Sequence, residues 1–141
     1  MRELTISQDY TEEDLEVIRE GLLEDTFTKL YTDQTPLEYD LNLTLKNEEG
    51  EIIGGLISSM YWYILNLSFL WVRKDYQGLG YGTKLLHKAE ELAKQKGCTV
   101  IYLDTFDVQA PDFYKKHGYE LFGVLENSPK GHSYNFLKKE L

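Results

Sequence analysis

Glycine recurs at every second position between a predicted strand and a predicted helix, at Gly78, Gly80 and Gly82. Glycine lets the backbone turn sharply and expose its N–H groups, and a helix start adds unpaired donors and a partial positive charge. These properties favour a bound phosphate or diphosphate group. The loop is therefore a candidate anion-binding site.

Basic side chains flank this loop. Lys84 falls in the first helical turn, where a cation is unfavourable by about 0.3–1 kcal/mol unless an anion lies nearby. Arg73 and Lys74 come just before the loop. The dinucleotide-binding fingerprint G-x-G-x-x-G is excluded because Thr83 stands at the position of its third glycine. A P-loop is excluded because its lysine comes before the serine or threonine, whereas here Thr83 comes before Lys84. A plain glycine turn with solvated lysines is the alternative.

Two segments together carry a family resemblance. Residues 77–82, QGLGYG, follow the pattern of glutamine or arginine, then glycine three residues on, then glycine or alanine two further on. Residues 107–119, DVQAPDFYKKHGY, follow a second pattern, in which alanine, tyrosine and a glycine followed by an aromatic residue stand at fixed distances along the chain. Here these residues are Ala110, Tyr114 and Gly118-Tyr119. In this order, separated by a helix and a strand, they resemble the GNAT N-acetyltransferases, and in particular their small bacterial single-domain members.

The resemblance implies an α/β (α+β) fold with a mixed, mostly antiparallel sheet whose central parallel strands splay apart. Acetyl-CoA would lie in the opening between Tyr63–Val72 and Thr99–Leu103, with its pantetheine arm added as a strand and its diphosphate on backbone N–H groups. No metal is expected. The implied cofactor-binding residues are Leu70, Trp71, Val72, Gln77, Gly78, Leu79, Gly80, Tyr81, Gly82, Thr83, Asp107, Ala110, Phe113, Tyr114 and Lys116.

Tyr114 matches the family tyrosine that lies near the thioester sulfur. A phenol there can protonate or hydrogen-bond the thiolate that leaves when an amine attacks. Asp107 departs from the pattern, since the family usually has asparagine at this position. An ionised carboxylate cannot donate a hydrogen bond, so Asp107 either accepts one from the pantetheine amide or makes no such contact.

A base is also needed, because an alkylammonium has a pKa near about 10.4 and must lose a proton before it attacks. Asp104, at the end of its predicted strand, is the first choice as a catalytic residue. His132, Tyr61 and Tyr63 are the alternatives, and each could equally be an ordinary surface or core side chain.

Acidic residues concentrate in the first part of the chain, where residues 1–54 hold 15 acids and only 4 bases. The resemblance would place this part around the acceptor, so we expect a cationic small amine or lysine-like group to be drawn in. A solvated helix face is the alternative. The side chains concerned are Glu20, Glu24, Asp25 and Asp33.

The elements that must position these residues follow the predicted order β-α-α-β-β-β-α-β-α-β-β. The predicted strands cover residues 2–7, 41–45, 51–61, 63–72, 99–103, 119–125 and 133–137. Helices are expected after the capping residue Thr11, over Asp25–Tyr31, after the glycine loop up to Gly97, and from Pro111 to Gly118. Along the first helix, a buried stripe is expected at Leu15, Ile18, Leu22 and Leu23.

Composition limits the remaining choices. The 141 residues, 42% of them hydrophobic, are expected to form one domain over 1–141. The single cysteine, Cys98, is predicted to be a buried apolar residue. A net charge of −9 argues against nucleic acid as a partner. With no signal peptide or membrane span in view, a cytoplasmic protein is expected, as a monomer or homodimer. Rival functions are a non-catalytic acyl-CoA sensor, a transferase of longer acyl groups, and a structural domain.

Overall fold

The computed structural model describes residues 3–30 and 38–141, with the backbone alone at 27 and 28. The chain divides into two units, Met1–Thr35 and Pro36–Leu141, and each is described by itself. The first contains helix α1, Glu12–Lys29. Its start is a capping box, in which the Asp14 N–H donates to the Thr11 hydroxyl at 3.2 Å and the Thr11 N–H donates to the Asp14 carboxylate at 2.9 Å. The predicted helix start is confirmed.

The first predicted strand is wrong. Residues 3–7 are not in a strand, and Leu4 and Ile6 are 92% and 102% exposed. Alternating apolar residues define a face, but a strand also needs a neighbour that pairs with its backbone groups. Arg2 lies outside the described residues.

The second predicted helix and the buried stripe are also wrong. Helix α1 continues unbroken through Asp25 to Lys29, because no glycine or proline interrupts it there and the two side chains form an ion pair at 2.9 Å. Tyr31 lies outside the described residues. Of the four residues in the predicted stripe, Ile18 and Leu22 are about two-thirds exposed and Leu15 and Leu23 are half-buried, so none is fully buried. The helical spacing placed these side chains on one face but did not determine whether that face is covered.

The second unit is built on a mixed six-stranded sheet. Its elements are β1 Tyr39–Lys46, β2 Ile52–Tyr61, β3 Ile64–Val72, α2 Tyr81–Gln95, β4 Val100–Phe106, α3 Pro111–Lys116, β5 Glu120–Glu126 and β6 Ser133–Glu140, with a 3-10 turn at Lys74–Tyr76. The strands, in the spatial order β1-β2-β3-β4-β6-β5, are antiparallel to their neighbours except for the parallel pair β3–β4. With α1, the chain order in the described residues is α-β-β-β-α-β-α-β-β, which corrects the predicted order at its start.

Helix α2 covers one face of this sheet. Its Leu86, Ala89 and Ala93 are fully buried and belong to one cluster with apolar side chains from five strands. The strand members are Leu41, Leu56, Met60, Leu65, Leu67, Ile101, Leu103 and Leu137. Cys98 is buried as predicted, and burial raises the pKa of its thiol. The core therefore fixes the start of α2 against the middle of the sheet.

The parallel pairing of β3 and β4 is short. It joins Ile64–Leu67 to Val100–Leu103 and then stops, although both strands continue. Ser68 is a bulge in β3, because its neighbours Leu67 and Phe69 pair with consecutive residues of β2. A bulge bends its strand, and this one lies where the two strands separate. The result is a gap at the centre of the sheet.

Gly54 allows β3 to lie close to β2 beside this gap. A Cβ atom built there would be 2.8 Å from the Trp71 carbonyl oxygen, and backbone cannot yield as a side-chain tip can. We expect Gly54→Ala to lower the free energy of unfolding by about 1–3 kcal/mol, measured by urea denaturation. The control is Gly21→Ala in α1, where no atom lies within 4 Å and a gain of up to about 1 kcal/mol is expected. Equal losses in both variants would contradict the steric account.

Candidate active site

A cavity of about 580 Å³ occupies the gap between β3 and β4 and extends to the start of α2. Most of the side chains predicted from the sequence line it. They are Leu70, Val72, Gln77, Gly78, Gly80, Tyr81, Gly82, Thr83, Asp104, Ala110, Phe113 and Tyr114. Trp71, Leu79, Asp107 and Lys116 are not among the lining residues.

The β3 side of the cavity is a strand edge. Residues 69–72 pair with β2 on one side, and β4 has already turned away on the other. The backbone groups directed at the gap are therefore available to an extended ligand. The Trp71 side chain is 53% exposed, but the contact predicted for this residue uses its backbone.

The glycine loop closes the other end of the cavity. Gly78 and Gly80 have φ angles of +78° and +88°, which other residues rarely adopt, and Gly80 is the N-cap of α2 without any side-chain capping bond. The first turn of α2 contains no acidic residue. The Gln77 side chain supports the loop by donating to the Val72 carbonyl at 2.8 Å. The helix start is thus left with N–H donors and an uncompensated positive dipole end.

The basic patch expected beside the loop is smaller than the sequence suggested. Arg73 is engaged by Asp75, with hydrogen bonds of 2.7 and 3.0 Å, and by Glu51 at 3.6 Å. The Arg73 guanidinium holds the pKa of the Asp75 carboxyl below its usual value. Lys84 lies over the Tyr81 ring, with its Nζ 5.5 Å from the centroid. Positive charge near the loop therefore comes from the N-terminal dipole of α2 and from Lys84 rather than from Arg73.

Tyr114 lies on the cavity wall in α3. Its ring packs edge-on against Phe113 and Tyr119 at centroid distances of 5.2 and 5.7 Å. In residues 38–141, its hydroxyl has no hydrogen-bond partner from the protein. Burial raises the pKa of Tyr114 to about 12. The phenol is consequently neutral throughout the usual working pH range and can donate a hydrogen bond to a ligand.

Asp104 lines the same cavity near the end of β4. The neighbouring Asp104 carboxylate raises the pKa of the Tyr134 hydroxyl to about 12. The other base candidates, His132, Tyr61 and Tyr63, are not among the lining residues. His132 instead has its Nδ1 3.1 Å from the Asp107 carboxylate.

Sequence reasoning missed Leu67, Ser68, Phe69, Tyr76, Thr105 and Gln109, which also line the cavity. Gln109 turns back onto the end of β4, where its Oε1 accepts the Phe106 N–H at 2.8 Å. The sequence signal that could have identified Gln109 is its position within the second motif, residues 107–119. The acids of the first unit, Glu20, Glu24 and Asp25, are exposed on α1, and Asp33 lies outside the described residues. An acceptor pocket beside them stays a prediction.

A model of the acetyltransferase (GNAT) family matches residues 6–119. The chain belongs to this family. Blasticidin-S acetyltransferase of Streptomyces morookaense is 38% identical over 95 residues, covering 67% of this chain and 70% of that protein. A crystal structure of an acetyltransferase from Bacillus cereus superposes with a TM-score of 0.89 at 43% identity, covering 97% of this chain and 98% of that one. The protein is therefore an acetyl-CoA-dependent acetyltransferase.

A more distant solved structure shares the fold. It comes from Bacillus anthracis, is described as a candidate streptothricin acetyltransferase in complex with acetyl coenzyme A, and superposes with a TM-score of 0.64 at 21% identity. The match covers 79% of this chain and 66% of that one. None of the helices in residues 3–30 and 38–141 is long and apolar enough to cross a membrane.

His117 links the two helices that border the cavity of this GNAT acetyltransferase. Its Nε2 lies 3.2 Å from the Thr83 hydroxyl, at the start of α2, and its ring contacts Phe113 of α3 at 4.9 Å. The His87 ring packs against it edge-on at 5.0 Å. The sequence did not single out His117, because this contact spans 34 residues of chain.

Because a hydrogen bond contributes about 0.5–1.5 kcal/mol, we expect His117→Ala to weaken CoA binding by about 2- to 10-fold through a less well-held Thr83. Isothermal titration calorimetry with CoA measures the change. His87→Ala is the matched control, since it removes a ring from the same cluster but no bond to Thr83. An equal loss of affinity in both variants would show that ring packing alone matters.

Proposed function

We propose that this protein transfers the acetyl group of acetyl-CoA to the primary amine of a small cationic acceptor, with Tyr114 donating to the leaving sulfur. One observation carries the proposal: a neutral phenol, without a hydrogen-bond partner among residues 38–141, lies on the wall of a cavity whose other end is the N-terminus of α2. A thioester joined to a diphosphate has the two groups that such a cavity can recognise.

The proposed coenzyme position follows the cavity. The diphosphate accepts hydrogen bonds from backbone N–H groups between Gln77 and Thr83, including that of Leu79. The pantetheine arm pairs with the backbone of Leu70, Trp71 and Val72 as an added strand. Ala110 and Phe113 cover the arm from the α3 side. Acetyl coenzyme A bound to the Bacillus anthracis relative supports this assignment of the ligand.

Gln109 is proposed to replace the amide that Asp107 lacks. The Asp107 carboxylate contacts His132, and Asp107 does not line the cavity. Gln109 does line it, and its two side-chain hydrogen bonds within the described residues both use Oε1 as acceptor, from the Phe106 N–H and from the Thr105 hydroxyl. Its Nε2 can therefore donate to a pantetheine carbonyl. A contact of Lys116 with the coenzyme remains a prediction from the resemblance.

The proposed chemistry is direct attack. The ammonium loses its proton, for which Asp104 is the proposed acceptor, since it is the one candidate among the four that lines the cavity. The nitrogen lone pair forms the N–C bond, the nitrogen loses its second proton to solvent, and the C–S pair then leaves on sulfur. Tyr114 donates to that sulfur and is reprotonated from solvent, so the products are the amide, CoA and one proton.

The acceptor class is proposed from charge and from relatives. The related enzyme named above acts on blasticidin S, as its name states, and the distant structure is described as a candidate streptothricin acetyltransferase. The chain carries a net charge of −9, which attracts cationic rather than anionic amines. A compact, cationic, antibiotic-like amine fits both observations.

Tyr114→Phe keeps the ring and removes only the donor. We expect kcat to fall by roughly 10²-fold or more, because general acid assistance contributes about 10²–10⁴-fold, while the KM for acetyl-CoA stays within about threefold. Thiol release with a panel of amines measures both constants.

Tyr119→Phe is the matched control, since its hydroxyl donates to Glu90 at 2.8 Å instead of facing the cavity. It should lower thermal stability but change kcat by less than about threefold. A kcat in Tyr114→Phe as high as that of the control would remove Tyr114 from the chemistry.

The raised pKa of Tyr114 also predicts an alkaline profile. The phenol donates while protonated, so its contribution is complete below about pH 10 and is lost as the pH rises through about 12. With saturating substrates, kcat should therefore not fall between about pH 8 and pH 10.5. A fall in kcat near pH 10 that occurs in the wild type but not in Tyr114→Phe would contradict the raised pKa of Tyr114.

A further inference from the structure

Aromatic rings form a row on the sheet face opposite α2. The Phe106 and Tyr134 rings stack with centroids 4.6 Å apart and planes at 27°, and Phe136 packs edge-on against Tyr134 at 5.0 Å. All three are half-buried, whereas Leu103 and Thr105 on the other face are buried. Their π faces are therefore partly accessible to a ligand.

Asp104 lies within this row. It is paired in register with Phe136, two residues before Phe106 on the same strand face, and it is exposed. Strand register makes Tyr134 its diagonal neighbour on β6, and no ion pair within residues 38–141 involves the Asp104 carboxylate. A carboxylate with uncompensated charge beside stacked aromatic rings is the combination that binds organic cations.

The charges around the row confine this site to one end. Lys138, on the same face of β6, has its Nζ 6.0 Å from the Phe122 centroid, so that end of the row carries a positive charge. At the Phe106 end, Asp107 follows directly and is paired with His132. Because Asp104 is level with Phe136 and Lys138 is the next residue of β6 on this face, a cation is stabilised on the Phe106 side of Asp104 and repelled on the Lys138 side.

Asp104 also connects the row to the cavity, because it lines the cavity together with Tyr114. The α2 end of that cavity is suited to an anion, so an amine acceptor has to approach from the other end. Asp104 stands where an approaching ammonium would first meet a carboxylate.

We propose that Asp104, Phe106 and Tyr134 form the acceptor subsite and bind the acceptor as its alkylammonium ion. The inference rests on the proposed function and makes it more specific. The substrates are alkylamines that are protonated at neutral pH, while arylamines and other amines that are neutral there bind weakly. The Asp104 carboxylate both neutralises the ammonium and is adjacent to the proton that must leave.

Tetramethylammonium chloride is the probe, since it is a permanent cation that cannot be acetylated. It should inhibit thiol release competitively against an alkylamine but not against acetyl-CoA, while equal sodium chloride has no such effect. Its direct binding is measured by line broadening of its methyl proton NMR signal. This readout does not depend on turnover.

Four variants distinguish the contributions. Asp104→Asn removes the charge and Phe106→Leu removes a π face, and each should weaken tetramethylammonium binding by about 3- to 30-fold. Tyr134→Phe keeps its ring and removes only the hydroxyl, so binding should be retained. Glu140→Gln is the control, because it removes one exposed charge on the same face of β6, far from the cavity. Thermal melts identify any variant that does not fold.

The outcomes separate the two proposals. Loss of turnover in Asp104→Asn with unchanged tetramethylammonium binding would overturn the subsite and leave Asp104 as a base. Equal weakening in Glu140→Gln would reduce the effect to general electrostatics and also overturn it. Absence of thiol release with every amine would contradict the proposed function, while the NMR titration would still decide whether the cation site exists.

Discussion

The site depends on the point at which two parallel strands stop pairing. Beyond Leu67 and Leu103, β3 and β4 continue without each other, and the bulge at Ser68 bends β3 at that point. Backbone groups at such edges must find partners in water or in a ligand, because an unpaired buried amide costs about 1–3 kcal/mol. The edge therefore favours an extended amide-bearing ligand and makes the cavity specific for one.

A second set of contacts, behind the cavity, holds its walls together. Glu90 of α2 accepts hydrogen bonds from the Tyr119 hydroxyl at 2.8 Å and from Lys139 of β6 at 3.0 Å, and its side chain is only 11% exposed. Burial and then the Glu90 charge raise the pKa of Tyr119, so its hydroxyl remains a donor. A nearly buried carboxylate is tolerated because both donors satisfy it. The Tyr119 ring in turn supports Tyr114.

Local patterns predicted most of the second unit. Alternation at Leu41, Leu43 and Leu45, the turn at Gly50, and the glycine loop before α2 each reflect short-range physics that a sequence displays directly. The first predicted strand failed because its alternation had no pairing partner. The predicted buried stripe on α1 failed because the same periodicity suits a covered or an exposed face.

The contacts that complete the candidate site could not be found in this way. Tyr134 meets Asp104 across 30 positions, and His117 meets Thr83 across 34. Such pairs follow from strand register and helix packing, which single-residue patterns do not specify. The two motifs therefore predicted the glycine-loop end of the cavity, which is built from local backbone geometry, better than the Asp104 end, which depends on contacts between distant side chains.

Electrostatic separation along the cavity explains how so acidic a chain can hold a polyanion. The lining contains a single carboxylate, Asp104, and the first turn of α2 contains none. Asp75 is neutralised by Arg73 next to the loop, and Asp107 is held by His132 outside the lining. The helix dipole, whose effect falls off within about one turn, therefore governs the end at which we propose that the diphosphate binds, while a negative charge remains at the Asp104 end. One cavity can thus attract an anion at one end and an ammonium at the other.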